Sequence, residues 1–218
     1  MARLKTGVLI SGRGTNLQAL LDACADPDFP AEIVSVIANK AGAQGLERAR
    51  KAGVKASFLD HTLYEAREDF ERELDERLRE DGAEFVALAG FMRILTPWFV
   101  DKWRDRLINI HPSLLPAFKG VHTHDRALES GVRIHGATVH YVRPEMDDGP
   151  IIGQAAVPVL AGDTPDRLAA RVLEAEHALY PACLRLVAQG KARVTAGLVR
   201  QDKDFGASET DALFNPTA

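Results

Sequence analysis

The sequence predicts an α/β fold, a doubly wound, mostly parallel sheet that turns antiparallel toward its C-terminal part. Two observations carry this expectation. Over the first 130 or so residues, short apolar runs alternate with amphipathic stretches, as in a parallel sheet covered by helices. Beyond residue 132, two β-rich runs follow one another across a turn with no helix between them.

In chain order, Leu4–Ile10 reads as the first strand and runs through a glycine-containing loop into a helix over Asn16–Ala25. A strand at Ile33–Ala38 and a helix at Gln44–Ala52 follow. The next helix, Tyr64–Glu80, carries Ala66, Phe70, Leu74 and Leu78 at a four-residue spacing that lines one face. Strands are expected at Phe85–Ala89 and Leu107–Ile110, then a short helix ending at Ser130. Ala137–Val142 and Ile151–Leu160 are the two later strands, and a long helix from Pro165 to about Gln189 closes the fold. Gln201–Ala218 is polar and patternless and reads as a loose tail.

Composition narrows the function. A chain of 218 residues is long enough to bury a full core without staples. Cys24 and Cys183 are too few for a disulfide framework, so a cytoplasmic, reducing setting is expected. There is no signal-peptide pattern and no apolar run of the roughly 18 residues a membrane span needs, so no membrane partner is expected. A net charge of −4 with scattered Lys and Arg disfavours a nucleic-acid partner, while a local anion site stays open.

Three places carry chemistry. Ser11-Gly12-Arg13-Gly14-Thr15-Asn16 joins a strand to a helix, where backbone N–H groups freed of Cβ obstruction form an anion pocket. A dinucleotide fingerprint wants glycine where Leu17 stands and an acid near Asn39-Lys40, and a P-loop wants Gly-Lys-Ser/Thr, so NAD and ATP fit poorly. A single phosphate fits better, with the Thr15 hydroxyl and Asn16 amide as extra donors. The same residues also suit a tight turn with Thr15 or Asn16 as N-cap.

Asn109 and His111 sit two apart on a strand and project to one face. An amide donor beside a group that titrates near neutrality is a minimal set for stabilising an oxyanion and moving a proton. The alternative is a satisfied histidine next to a strand-end asparagine. His122, His124, His135 and His140 raise a metal reading, but no H-E-x-x-H or paired-cysteine spacing accompanies them, and no metal is expected.

Asp147 and Asp148 occupy a turn where aspartate is common for local reasons. Glu176 falls within the apolar stripe Leu168, Val172, Leu179 and Cys183, and a carboxylate there needs a partner or must lose its charge. Arg67 flanks the stripe of its own helix and suits either a solvated face or an anionic ligand.

Together these residues resemble the glycinamide ribonucleotide formyltransferase family over roughly residues 4–190. The matching pieces are Leu9-Ile10-Ser11-Gly12-x-Gly14-Thr15-Asn16-Leu17-Gln18-Ala19, Leu88-Ala89-Gly90-Phe91-Met92-Arg93-Ile94-Leu95 and Asn109-Ile110-His111-Pro112-Ser113-Leu114-Leu115-Pro116, then Gly136-x-Thr138-Val139-His140 and Asp147-x-Gly149-Pro150-Ile151. The resemblance implies a Rossmann-like formyltransferase fold in one domain over 1–200. Its phosphate-binding half spans about 1–105 and its catalytic and folate half about 106–200, with 201–218 as the tail.

It further implies formyl transfer from 10-formyltetrahydrofolate to the amine of glycinamide ribonucleotide, by a monomer or homodimer. On that resemblance Asn109, His111 and Asp147 form the catalytic set. Gly14, Thr15, Asn16 and Glu176 meet the ribonucleotide, and Arg67, Met92, Arg93, Ile94, Leu95 and Asn109 line the folate site, with Arg67 near the glutamate tail. Many members carry glycine where this chain has Asp148; the change is not expected to abolish activity, and whether a second nearby carboxylate shifts local proton affinities stays open.

Related enzymes fit less well. A methionyl-tRNA formyltransferase is expected to carry a further C-terminal domain and a basic surface, and a formyltetrahydrofolate hydrolase an added N-terminal domain. A sugar-nucleotide formyltransferase does not need this phosphate loop. A non-catalytic folate or nucleotide sensor has no need of a proton-moving set.

Overall fold

In the computed structural model, which describes residues 2–201, the chain forms a seven-stranded sheet and a separate two-stranded hairpin. The elements are β1 (Leu4–Ile10), α1 (Thr15–Cys24), β2 (Ala31–Ala38), α2 (Gln44–Lys51), β3 (Lys55–Phe58), α3 (Arg67–Glu80), β4 (Phe85–Leu88) and α4 (Pro97–Lys102). They continue with β5 (Leu107–His111), α5 (Thr123–Glu129), β6 (Ile134–Tyr141), β7 (Ile151–Pro158), α6 (Pro165–Ala188), β8 (Ala192–Thr195) and β9 (Leu198–Gln201). The sheet order is β3-β2-β1-β4-β5-β6-β7, with β8 and β9 as the hairpin.

The first five strands are parallel, and β5–β6 and β6–β7 are antiparallel, as the change of pattern after residue 132 predicts. Successive residues of the central strands enter opposite cores. Val8, Ile10, Val36, Phe85 and Ala87 pack on the side of α1, α2 and α6, while Leu9, Ile37, Val86 and Leu88 pack with Phe70, Leu74, Leu78 and Trp103 of the α3–α4 side. Burial on both faces explains why these strands read as near-continuous apolar runs.

Two features depart from the sequence reading. The helix expected from Tyr64 begins at Arg67. Before it lies a 3₁₀ turn, His61–Leu63, whose N-cap Asp60 accepts from the Thr62 N–H, and Ala66 is extended (φ −104°, ψ 148°). The short elements β3, α4 and the β8–β9 hairpin carry too little pattern to be read, and Gln201 closes β9 rather than opening a tail. Asp148, beside Asp147, pairs with Lys119. The expected tail over 202–218 lies outside the described residues. No helix among the described residues is long and apolar enough to cross a membrane.

The order around β1 fixes where a ligand goes. β1 connects outward to β2 on one side and lies against β4 on the other, so the loops after β1 and β4 diverge from a topological switch point. They are tied there: the Ser11 N–H donates to Gly90 O at 3.1 Å, and the Met92 N–H donates to Ser11 Oγ at 2.7 Å. Ser11 in turn donates to Asn39 Oδ1 at 2.6 Å.

Candidate active site

A cleft of about 470 Å³ opens at the carboxyl ends of β4 and β5. That size suits a drug-sized organic ligand. Its apolar walls include Met92, Ile94, Leu95 and Met146, and its polar groups include Asn16, Asn109, His111, His140, Asp147 and Glu176. Met92 is 68% exposed and Ile94 56%, a costly presentation of apolar side chains unless something flat and apolar lies against them. Arg93 also lines the cleft and sets its guanidinium over the Phe70 ring.

Asn109 and His111 do project to one face, because β5 alternates its side chains. His111 is 5% exposed and faces acceptors at both ring nitrogens. Nε2 lies 3.0 Å from Phe118 O, and Nδ1 lies 3.5 Å from Asp147 Oδ2. Asp147 reaches in from the β6–β7 turn with a left-handed backbone (φ 51°), and its Oδ2 also accepts from the Gly120 N–H at 2.8 Å.

Asn109 is held by a residue that local spacing does not reveal. β5 and β6 pair so that Asn109 stands opposite His140, and Asn109 Nδ2 lies 3.3 Å from His140 Nε2. His140 Nδ1 donates to Tyr141 O at 3.0 Å, which leaves Nε2 as the acceptor for the amide. Burial lowers the proton affinity of His140, the Tyr141 carbonyl and the Asp147 carboxylate opposing it, so the neutral ring is favoured. The Asn109 amide keeps its second N–H for a ligand. Opposite His111, Thr138 Oγ1 donates to Ser113 O at 2.7 Å and accepts from the Leu115 N–H at 3.0 Å, which braces the His111–Pro116 loop.

The glycine loop has two jobs. Gly14 is left-handed (φ 70°), and a Cβ there would meet Gly45 Cα at 2.7 Å, so its lack of side chain lets the loop pack on α2. Gly14, not Thr15 or Asn16, is the N-cap of α1. No side chain caps this helix and no acid lies in its first turn, which leaves the first-turn N–H groups open to an anion. The Asn16 side chain is otherwise engaged: Nδ2 donates to Glu176 Oε2 at 2.6 Å. Thr15 borders a neighbouring groove with Gln18, Arg48 and His177.

Glu176 lies on the buried stripe of α6 with Leu168, Val172, Tyr180 and Cys183, and is 6% exposed. Burial raises its proton affinity and the Asn16 hydrogen bond partly offsets this. Arg67 is exposed on the first turn of α3, outside the cleft lining. Among the described residues, no group of three or more His, Cys, Asp or Glu side chains is arranged to hold a metal ion.

Comparison with known proteins fits this arrangement. Residues 4–184 match the formyl transferase family. The chain is 49% identical over 187 residues to phosphoribosylglycinamide formyltransferase of Escherichia coli, covering 86% of this chain and 88% of that protein. It is 51% identical over 192 residues to the trifunctional purine biosynthetic protein adenosine-3 of Gallus gallus, matching 88% of this chain but only 19% of that longer protein. Among solved structures, glycinamide ribonucleotide transformylase 1 from Symbiobacterium toebii superposes with a TM-score of 0.89 at 48% identity, over 91% of this chain and 94% of that one. The chain belongs to the formyl transferase family, among its phosphoribosylglycinamide formyltransferases.

Proposed function

We propose that the protein transfers the formyl group of 10-formyltetrahydrofolate to the amine of glycinamide ribonucleotide in purine biosynthesis. The observation that carries this reading is the convergence of Asn109, His111 and Asp147 in one cleft that Asn16 and Glu176 also line. The folate is a co-substrate. The apolar wall of Met92, Ile94 and Leu95 suits its flat ring system. Arg67, exposed on the first turn of α3 and without a hydrogen bond or ion pair among the described residues, is free to meet an anionic tail beyond the cleft. The open first turn of α1 suits the single phosphate of the ribonucleotide, with Gly14, Thr15 and the Asn16 backbone nearest it. Glu176 suits the amine end or hydroxyls of the same substrate.

In this mechanism the neutral amine attacks the formyl carbon and a new C–N bond forms. The formyl oxygen takes up negative charge and accepts from the free N–H of Asn109. His111, flanked by the Phe118 carbonyl and Asp147, adds positive charge beside that oxygen. Collapse of the tetrahedral intermediate breaks the bond to the folate nitrogen. That nitrogen takes the proton lost by the amine, a movement assisted by Asp147. Formylglycinamide ribonucleotide and tetrahydrofolate leave.

Direct transfer is favoured over an acyl-enzyme. Both thiols are buried, which pushes Cys24 up to about 11 and Cys183 to about 12, so neither is a ready nucleophile. The test is product identification by mass spectrometry after mixing protein, both substrates and labelled formyl carbon. Label in the ribonucleotide supports the reading. Label released only as formate, with or without ribonucleotide, contradicts it and indicates hydrolysis.

A further inference from the structure

The loop after β5 contacts the catalytic pair at several points. Phe118 supplies the carbonyl that faces His111 Nε2, and Gly120 supplies the N–H that holds Asp147 Oδ2. The residue between them, Lys119, pairs through Nζ with Asp148 Oδ1, the neighbour of Asp147. Consecutive residues of one loop thus grip consecutive residues of the other, Lys119 on Asp148 and Gly120 on Asp147. Arg126 NH1 fixes the rear of the loop by donating to Lys119 O at 2.6 Å.

The loop needs such a grip. Phe118 (φ 54°), Gly120 (φ 80°) and His122 (φ 56°) are all left-handed, and Asp147 facing them is left-handed too (φ 51°). Non-glycine residues hold that conformation only where surrounding contacts impose it. Asp148 itself has an ordinary φ, so its side chain is available without backbone cost. Neither Lys119 nor Asp148 lines the cleft.

We infer that Lys119 and Asp148 are positioning residues for the proposed transfer: their ion pair holds the 118–120 loop against the 147–148 turn and thereby fixes the His111–Asp147 geometry. The pair acts through the loop and touches no substrate. It is partly solvent-exposed, with side chains 37% and 56% accessible, so its effect is modest and sensitive to salt. The inference rests on the formyl-transfer reading.

The test compares kinetics of the wild type, Lys119→Met, Asp148→Asn, the conservative Lys119→Arg and the charge-exchanged Lys119→Asp/Asp148→Lys protein, at about 0.01 M and about 1 M salt. Melting temperatures are measured alongside to confirm that each variant folds. Each single neutral variant is expected to lose about two- to fivefold in kcat at low salt, with the ribonucleotide KM little changed. Lys119→Arg and the exchanged pair are expected to recover most of that loss, and high salt to bring the wild type down to the level of the neutral variants. Folded neutral variants with wild-type kcat at both salts would overturn the inference, as would an exchanged pair no better than the single variants. A wild type with no transfer at all fails the functional reading instead, so the two failures are distinguishable.

Discussion

The side-chain amide of Asn109 and the imidazole of His140 face each other across the β5–β6 ladder, Nδ2 to Nε2 at 3.3 Å, on directly opposed residues. The contact fixes which way the amide points. One N–H is spent on His140, and the other is left for the cleft that Asn109 lines, where the formyl oxygen becomes an oxyanion in the proposed reaction. A donor that is already oriented needs no reorganisation as the charge develops.

Replacing His140 by Leu removes the acceptor while keeping the volume apolar. Asn109 is then free to rotate, and kcat is expected to fall about tenfold with a smaller change in KM, the size of one net hydrogen bond. Steady-state kinetics alongside a melting curve checks this. A variant that keeps wild-type kcat while folded shows that the amide orients itself without the histidine.

Asn109 and His111 serve one oxygen in this account. Asn109→Ala is expected to lose about 10²–10³ in kcat, the usual consequence of removing an oxyanion donor. The double variant with His111→Ala is expected to lose less than the product of the two single losses, because the second removal acts on a site already disabled. Multiplicative losses in the double-mutant cycle assign the two residues to separate steps.

Glu176 links stability to pH. Burial raises its carboxyl in the folded protein above the ordinary value of about 4.3. Below that value both folded and unfolded chains hold the proton and nothing is lost. As pH rises, the unfolded chain releases its proton first, and stability declines until pH passes the raised folded value. Glu176→Gln keeps an acceptor for Asn16 and removes this decline. Its denaturation midpoint is expected to gain on the wild type from about pH 4 upward, while its ribonucleotide KM rises. A stability difference independent of pH contradicts the burial argument.

His135 works in the opposite direction. Burial, aided by the charge of His124 and opposed by the Pro112 carbonyl, pushes it down to about 4. Its folded value lies below its unfolded value near 6.5, so the stability it permits is complete above about pH 6.5 and is lost as pH falls toward 4. His135→Leu is expected to flatten this acid limb, a difference on the order of 3 kcal/mol between pH 7 and pH 4. Urea denaturation across that range measures it, and an unchanged acid limb in the variant locates the titrating group elsewhere.

Much of this site is legible along the chain because two of its devices are local. The Asn109–His111 pair announces itself by strand periodicity, and the glycine loop by its place between β1 and α1. Glu176 stands out because a carboxylate breaks an apolar stripe on α6. The contacts that complete the site are long-range. Asn16 meets Glu176 across 160 positions, and Asn109 meets His140 only through the register of an antiparallel pair. No spacing rule encodes either. The motif containing His140 was visible, yet nothing local distinguished its acceptor role from that of any core histidine. The strand β3 is not legible because its four residues lie at a sheet edge with none of them buried and no alternation between faces. The partner of Asp148, Lys119, lies on another loop, so no local spacing reveals their pair.

The central claim is that Asn109, His111 and Asp147 together move a formyl group to a ribonucleotide amine. The most direct test is the rate of deformylated folate formation with purified protein, followed by absorbance with and without glycinamide ribonucleotide, in the wild type and in His111→Ala. The expected result is turnover that requires the ribonucleotide and collapses in the variant. Turnover independent of the ribonucleotide, or a variant as active as the wild type, would contradict the account.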